Sequence, residues 1–195
     1  MTFDIRTLAP MNTQRGFTIL ELMLSVAVGA ILVGVGVPSF VNTIRNSEMT
    51  SATNGYVGAL YAARSEAVKQ RTRVTVCRAT TNGSGDVSCS ATGDTLAVFT
   101  NASNDLSVDT GSGDVVVRSV PWLPDTITVS SSDVPYGFSF NASGFTRALN
   151  GDTISGDLVF CGPRGNDAAR VLTVAPTGRP TIRQHAEVSG APSCT

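Results

Sequence analysis

Few residues in this chain are placed to do chemistry. Its single histidine, His185, lies near the C-terminus, and no serine sits in the G-x-S-x-G turn that would make it a nucleophile. A lone histidine cannot supply an H-E-x-x-H pair or a similar metal-ligand spacing, so His185 reads as an exposed surface residue. The stretch "NASNDLSVDTGSGD" gathers Asp105, Asp109 and Asp114 in one polar run. Calcium takes such oxygen ligands, but the spacing is not that of an EF-hand, and the run reads as a solvated loop. The four cysteines, Cys77, Cys89, Cys161 and Cys194, include no C-x-x-C pair. That argues against a zinc or thioredoxin-type site and for disulfides in an oxidising compartment. Of three possible pairings, Cys77–Cys89 would close a loop beside a strand, and Cys161–Cys194 would tie down the polar tail "EVSGAPSCT". No enzyme, cofactor or metal is expected.

One carboxylate stands in an unusual place. From Phe17 to Val41, Glu21 is the only charged residue, in a run longer than the roughly 20 apolar residues needed to span a bilayer. The run is too long for a secretory signal peptide and lacks its small-residue cleavage site. Arg6 and Arg15 precede it and bias the N-terminus toward the cytoplasm; the cysteines place the residues beyond outside it. An acid inside a span is costly and usually functional, so a plain membrane anchor leaves Glu21 without a purpose.

The segment "RGFTILELMLSV" resembles the class III signal of type IV pilins and pseudopilins. The resemblance implies that a prepilin peptidase cuts after Gly16, that the new N-terminal Phe17 is methylated, and that Glu21 and Pro38 serve filament assembly. The physics fits the implication. Cleavage creates an α-amine that is mostly cationic at neutral pH. Two opposite charges about 4 Å apart attract by about 4 kcal/mol at an effective dielectric of about 20. That is comparable to the roughly 2.5–3.5 kcal/mol cost of inserting an acid at a helix centre. Pro38 lacks a backbone N–H and is expected to bend or locally melt the helix. Ala30 and Gly34 form a small-xxx-small pair that suits close helix contact.

The elements that carry these residues follow from periodicity. Ala52, Tyr56, Ala59, Leu60, Ala63 and Ala67 recur at spacings of three and four, one apolar stripe, so a single helix is expected over about 17–71. After Arg73 come short runs rich in β-formers: "VTVCRA", "TLAVFT", "DVVVRSV", "TITVSS", "YGFSF", "DLVFC", "RVLTVA" and "PTIRQ". Turn residues separate them at "TNGSGD", "DTGSGD", "NASG", "LNGD" and "PTGR". The expected class is α+β, a long N-terminal helix packed on an antiparallel β-sheet head. The expected divisions are a leader over 1–16, a transmembrane or filament-core helix over 17–41, an amphipathic second half over 42–72, and a β-rich head over 73–195. The formal net charge of −1 argues against a general polyanion binder. Locally, six basic residues between Arg45 and Arg78 face two acids, whereas seven acids between Asp86 and Asp133 face Arg118 alone.

The stretch "GFTRALNGDTISGDLVFCGPRGNDAARVLTVAPTGRPTIRQ" resembles the head of GspH/FimT-type minor pilins and pseudopilins. That implies other major and minor pilins or pseudopilins as partners, processing by prepilin peptidase, and an inner-membrane location with the head in the periplasm before entry into a pilus or pseudopilus. Some members bind DNA through a G-R-x-R motif. Here "GRPTIR" sets Arg179 and Arg183 four apart, on one face if both lie in a strand, with Arg147, Arg164 and Arg170 as extensions diluted by Asp152, Asp157, Asp167 and Glu187. Three roles are implied: a type IV pilus minor subunit, a type II secretion pseudopilin, or a DNA-binding minor pilin for transformation.

Overall fold

The computed structural model describes residues 16–82, 86–103, 105–131, 137–148 and 156–194. The leader before Gly16, the "LNGD" turn and the centre of "TNGSGD" lie outside the described residues. The chain divides into two compact units, Met1–Thr43 and Ile44–Thr195.

Helix α1 runs from Ile19 to Gln70. Thr18 opens it: its Oγ1 accepts the Glu21 backbone N–H at 3.2 Å, the N-cap bond expected of a T-x-x-E start. The helix continues without a break through Pro38, so the local melting expected there does not occur. The carbonyl that the proline ring would crowd belongs to Gly34, four residues upstream. Glycine has the most backbone freedom to relieve that contact. Arg71 ends the helix in a left-handed conformation, φ 55°, a common way to close a final turn.

In the second unit, the helix buries Met49, Thr53, Tyr56, Ala59, Leu60, Ala63 and Ala67. The expected stripe faces the core, extended by Met49 and Thr53, with Ala52 half-buried. Ten strands follow among the described residues: β1 Val74–Thr81, β2 Val87–Cys89, β3 Thr95–Thr100, β4 Val116–Pro121, β5 Thr128–Ser131, β6 Gly137–Phe140, β7 Thr146–Arg147, β8 Gly156–Gly162, β9 Gly165–Val174 and β10 Pro180–Gln184. They form two antiparallel sheets. The larger has the order β4-β3-β1-β6-β7, with β2 also paired to β1; the smaller has the order β10-β9-β8-β5.

One core joins the helix to both sheets. Val74, Val76, Val98, Phe138 and Phe140 from the larger sheet and Leu158, Phe160, Leu172 and Val174 from the smaller meet Tyr56 and Leu60. Burying each large side chain of this kind contributes about 1.5–3 kcal/mol. Tyr56 sits edge-on to Phe160, with ring centroids 5.7 Å apart, and to Trp122, at 6.3 Å. Such pairs add roughly 0.5–1.5 kcal/mol beyond area burial. Burial also pushes the Tyr56 phenol far above its ordinary range, so this hydroxyl stays neutral.

The odd-numbered side chains of β1 face the other way, and a second cluster covers them. Cys77, Ala79, Ala97 and Phe99 pack beneath Val87, Cys89 and Val108. The Cys77–Cys89 disulfide lies within this layer. On the smaller sheet the tail does the covering: Val188, Ala191 and Cys194 pack on Val159, Cys161, Ala169 and Val171. The Cys161–Cys194 disulfide fastens it.

Candidate functional site

The first candidate is the N-terminal part of α1. Phe17 is 82% exposed, and Ile19, Leu20, Met23, Ile31, Leu32, Val35 and Phe40 are all exposed apolar side chains. The helix is long and apolar enough to cross a membrane. Placing so much apolar surface in water is unfavourable at roughly 25 cal/mol per Å², so this segment needs lipid or other helices around it. Ala30 and Gly34 lie within it, and an added Cβ at Gly29, Gly34 or Gly36 would meet nothing within 4 Å. Backbones can therefore approach closely there. Gly16 and Phe17 precede the first helical turn and are exposed.

Glu21 lies in the first turn of α1, where the helix dipole favours a negative charge. Its backbone is committed: the N–H goes to Thr18, and the carbonyl accepts the Ser25 hydroxyl at 2.6 Å. Its exposed carboxylate makes no ion pair among the described residues. The helix end thus presents an exposed acid with no counter-charge among the described residues. Thr18 is a site residue the sequence reading passed over, although its T-x-x-E spacing was visible.

The arginine pair spans the start of β10. Arg183 lies in that strand and Arg179 immediately precedes it, its carbonyl accepting the Ala175 N–H at 3.1 Å. Arg183 donates from Nη2 to the Thr173 hydroxyl at 3.4 Å. Arg179 instead follows the 175–178 turn, which folds against the 141–144 turn of the other sheet. There the Thr146 N–H and hydroxyl reach the Pro176 and Ala175 carbonyls, both at 3.0 Å. Arg64 of α1 closes the group by donating from Nε to the Gly144 carbonyl at 3.1 Å. Of the arginines named as extensions, Arg170 lies on β9 opposite Gln184, beside Arg183, and the other two lie apart. Arg164 bonds the Asn46 side-chain oxygen on the helix, and Arg147 lies on β7 of the larger sheet.

His185 is half-buried rather than exposed. Its Nε2 lies 3.0 Å from the Pro192 carbonyl, and together with the Cys194 N–H bond to the Asn166 side chain, 2.7 Å, it holds the tail down. In the acidic run, each carboxylate is spent on its own loop. Asp109 accepts from the Gly111 N–H and the Ser112 hydroxyl. Asp114, buried, accepts from the Ala102 N–H and the Ser103 hydroxyl. Asp105 accepts from the Ser107 N–H. The Ser112 hydroxyl first, and then the Gly111 N–H, hold the Asp109 carboxyl below its ordinary range. The lone buried side-chain nitrogen or oxygen without a hydrogen-bond partner among the described residues is Nη1 of Arg73. Desolvation, and then the nearby Arg147, lower the pKa of that guanidinium.

Two family models match. Residues 11–37 match the prokaryotic N-terminal methylation motif, and residues 52–178 match the family described as Type II transport protein GspH. Among solved structures, the type IV minor pilin FimU of Pseudomonas aeruginosa is similar in two crystal forms. One gives a TM-score of 0.51 at 22% identity, covering 72% of this chain and 91% of that one. The other gives 0.49 at 22% identity, covering 70% and 94%. The first shows a shared fold. No curated protein matches. Because the GspH model takes in more than half of its length, the chain belongs to the GspH family, whose members are pilin or pseudopilin subunits and not enzymes.

Proposed function

We propose that this chain is a minor subunit of a type IV pilus, assembled through its N-terminal helix in a priming or tip complex. In this scheme residues 1–16 are a leader removed by prepilin peptidase after Gly16, and Phe17 becomes the methylated N-terminus. Residues 17–41 anchor the subunit in the inner membrane and then enter the filament core. Residues 42–72 join that segment to the head, residues 73–195, in the periplasm. The observation that carries the proposal is the exposed apolar face from Phe17 onward with Glu21 alone in its first turn. The amine of a neighbouring processed subunit would neutralise Glu21 as it enters the apolar filament core. The similar FimU is itself a type IV minor pilin, which supports a pilus setting.

A second reading has its own support. The family description names type II transport, and a pseudopilin aiding protein secretion would use the same helix in the same way. A deletion strain separates the two: lost surface pili and twitching favour the first, and lost exoprotein release with intact pili favours the second. Mass spectrometry of the native protein tests what both share. An intact leader at the Gly16–Phe17 junction would remove the basis for either.

A further inference from the structure

Arg73 stands between the end of α1 and the start of β1. It is half-buried, and its side chain makes no hydrogen bond or ion pair among the described residues. A guanidinium carries five N–H donors and no acceptor, and a buried donor left unpaired is costly. The Asn101 N–H bonds the Arg73 carbonyl at 2.8 Å, which carries the β1–β3 ladder back to this residue. Arg73 therefore shares a face with Thr75, two positions on. That face is turned away from the helix, since Val74 and Val76 take the helix side.

Across the same face, the register sets Thr75, Ser139 and Arg147 in one row over β1, β6 and β7. Desolvation lowers the Arg73 pKa, and the Arg147 charge lowers it further, so two cations stand close together here. The negative end of the helix dipole favours a cation just after α1, but it does not account for a second guanidinium arriving from β7. The neighbouring polar groups add donors rather than acceptors. Asn101 donates from Nδ2 to the Thr75 hydroxyl at 2.9 Å, and the Thr75 and Ser139 hydroxyls share one hydrogen bond of 2.8 Å. All three residues are buried, and two hydroxyl protons with one bond between them leave one proton over.

The carboxylates of the adjoining 101–115 loop do not answer this charge. Asp105 accepts from the Ser107 N–H, and Asp114 accepts from the Ala102 N–H and the Ser103 hydroxyl. On the last turn of the helix, Glu66 is taken by Lys69. Arg147 is held by an interaction of its own, so it supplies charge while Arg73 supplies the open donors.

We propose that Arg73 and Arg147 form a binding site for one tetrahedral oxyanion of the phosphate type. Such an ion is all acceptor, and its oxygens point in four directions, so donors from β1 and from β7 can each engage one. A carboxylate offers only two oxygens in one plane, and chloride offers charge without directed lone pairs. The bound ion relieves the repulsion between the two guanidiniums. It also ties the chain just after the helix to β7, the edge strand of the larger sheet. The site lies outside the N-terminal helix segment and depends on neither the pilus nor the secretion reading.

The full chain in neutral detergent micelles, heated at constant ionic strength with phosphate exchanged for chloride, provides the test. Near-ultraviolet circular dichroism reads the head. Its unfolding midpoint is expected to rise with phosphate and then level off, by about 3–5 °C at roughly ten times the half-saturating concentration. Sulfate is expected to act as phosphate does, whereas acetate at matched ionic strength is not. Arg73→Gln is expected to abolish the phosphate response and to unfold in chloride no earlier than the parent, since it removes an unpaired donor rather than a bond. Arg73→Lys keeps the charge without the planar fork and should need at least about tenfold more phosphate. Arg183→Gln, on the smaller sheet, should respond as the parent does.

A parent midpoint indifferent to phosphate would mean that water alone meets Nη1, and would overturn the proposal. An equal response to acetate would reduce it to general screening. An Arg183→Gln protein that loses the response as fully as Arg73→Gln would place the ion elsewhere. Should Arg73→Gln fail to fold, Arg73→Lys decides: half-saturation equal to the parent's would also sink the site. None of these outcomes bears on processing or on incorporation into a filament.

Discussion

Arg64 on the helix donates from Nε to the carbonyl oxygen of Gly144, 3.1 Å away and 80 residues later in the chain. The bond pins the turn of one sheet to the helix, and the turn of the other sheet lies on top. Gly178, at φ 77°, is so close that an added Cβ would lie 2.2 Å from the Gly144 oxygen. Gly178→Ala is therefore expected to destabilise the head by on the order of 1–3 kcal/mol, from left-handed strain together with a backbone clash. Arg64→Met is expected to cost about 1–2 kcal/mol, because the Gly144 carbonyl loses its donor. Urea unfolding followed by circular dichroism reads both, and a Gly178→Ala midpoint equal to the parent's would contradict this account.

Cys161–Cys194 closes a loop with a sequence separation of 33. On the chain-entropy account, Cys194→Ser, with Cys161→Ser to avoid a free thiol, should cost about 3–4 kcal/mol. Loss of the tail also uncovers Val159, Ala169 and Val171. Limited proteolysis should then trim the chain after about Gln184 while leaving the rest intact, whereas the parent resists.

Asp109 carries a pH signature. Its carboxyl is held below the ordinary value by hydrogen bonds present only in the fold. A group whose folded pKa is depressed contributes stability above its unfolded pKa and loses it as pH falls through the folded one. The gap in urea midpoint between the parent and Asp109→Ala should thus stay constant down to about pH 5 and narrow below about pH 4. A gap that persists unchanged into strong acid would count against the Ser112 and Gly111 bonds as its origin.

Glu21→Ala should leave cleavage at the Gly16–Phe17 junction intact and abolish incorporation into filaments. Mass spectrometry of the membrane fraction reads the first result, and immunodetection in sheared filaments reads the second. Normal incorporation would mean that the acid is not what recruits the processed amine.

Much of the fold was legible because it follows from periodicity. The Ala52–Ala67 stripe faces inward, and eight strands lie where the runs of β-formers placed them. Strands β2 and β7 were not legible, since runs of three and two residues show no alternation. Nor was the division into two sheets, because β5 pairs with β8 across two intervening strands of sequence, and local pattern does not select a distant partner. The turn that ends in Arg179 and the strand that carries Arg183 lie where "PTGR" and "PTIRQ" placed them. The pairing of the cysteines matched the tail's need for an anchor. Arg64 lay off the apolar stripe, so nothing in its neighbours marked it as the residue that joins the two turns.

Trp122 is the chain's sole tryptophan. It stands where the connection between the two sheets meets the helix, edge-on to Tyr56 and beneath the Arg78 guanidinium, 4.9 Å from its ring centre. The indole's emission colour and quenching therefore gauge that one seam without any attached dye. Whatever pries the connection away from the helix, whether heat, a neighbour or a growing fibre, should announce itself as a shift in ultraviolet fluorescence before the strands themselves come apart.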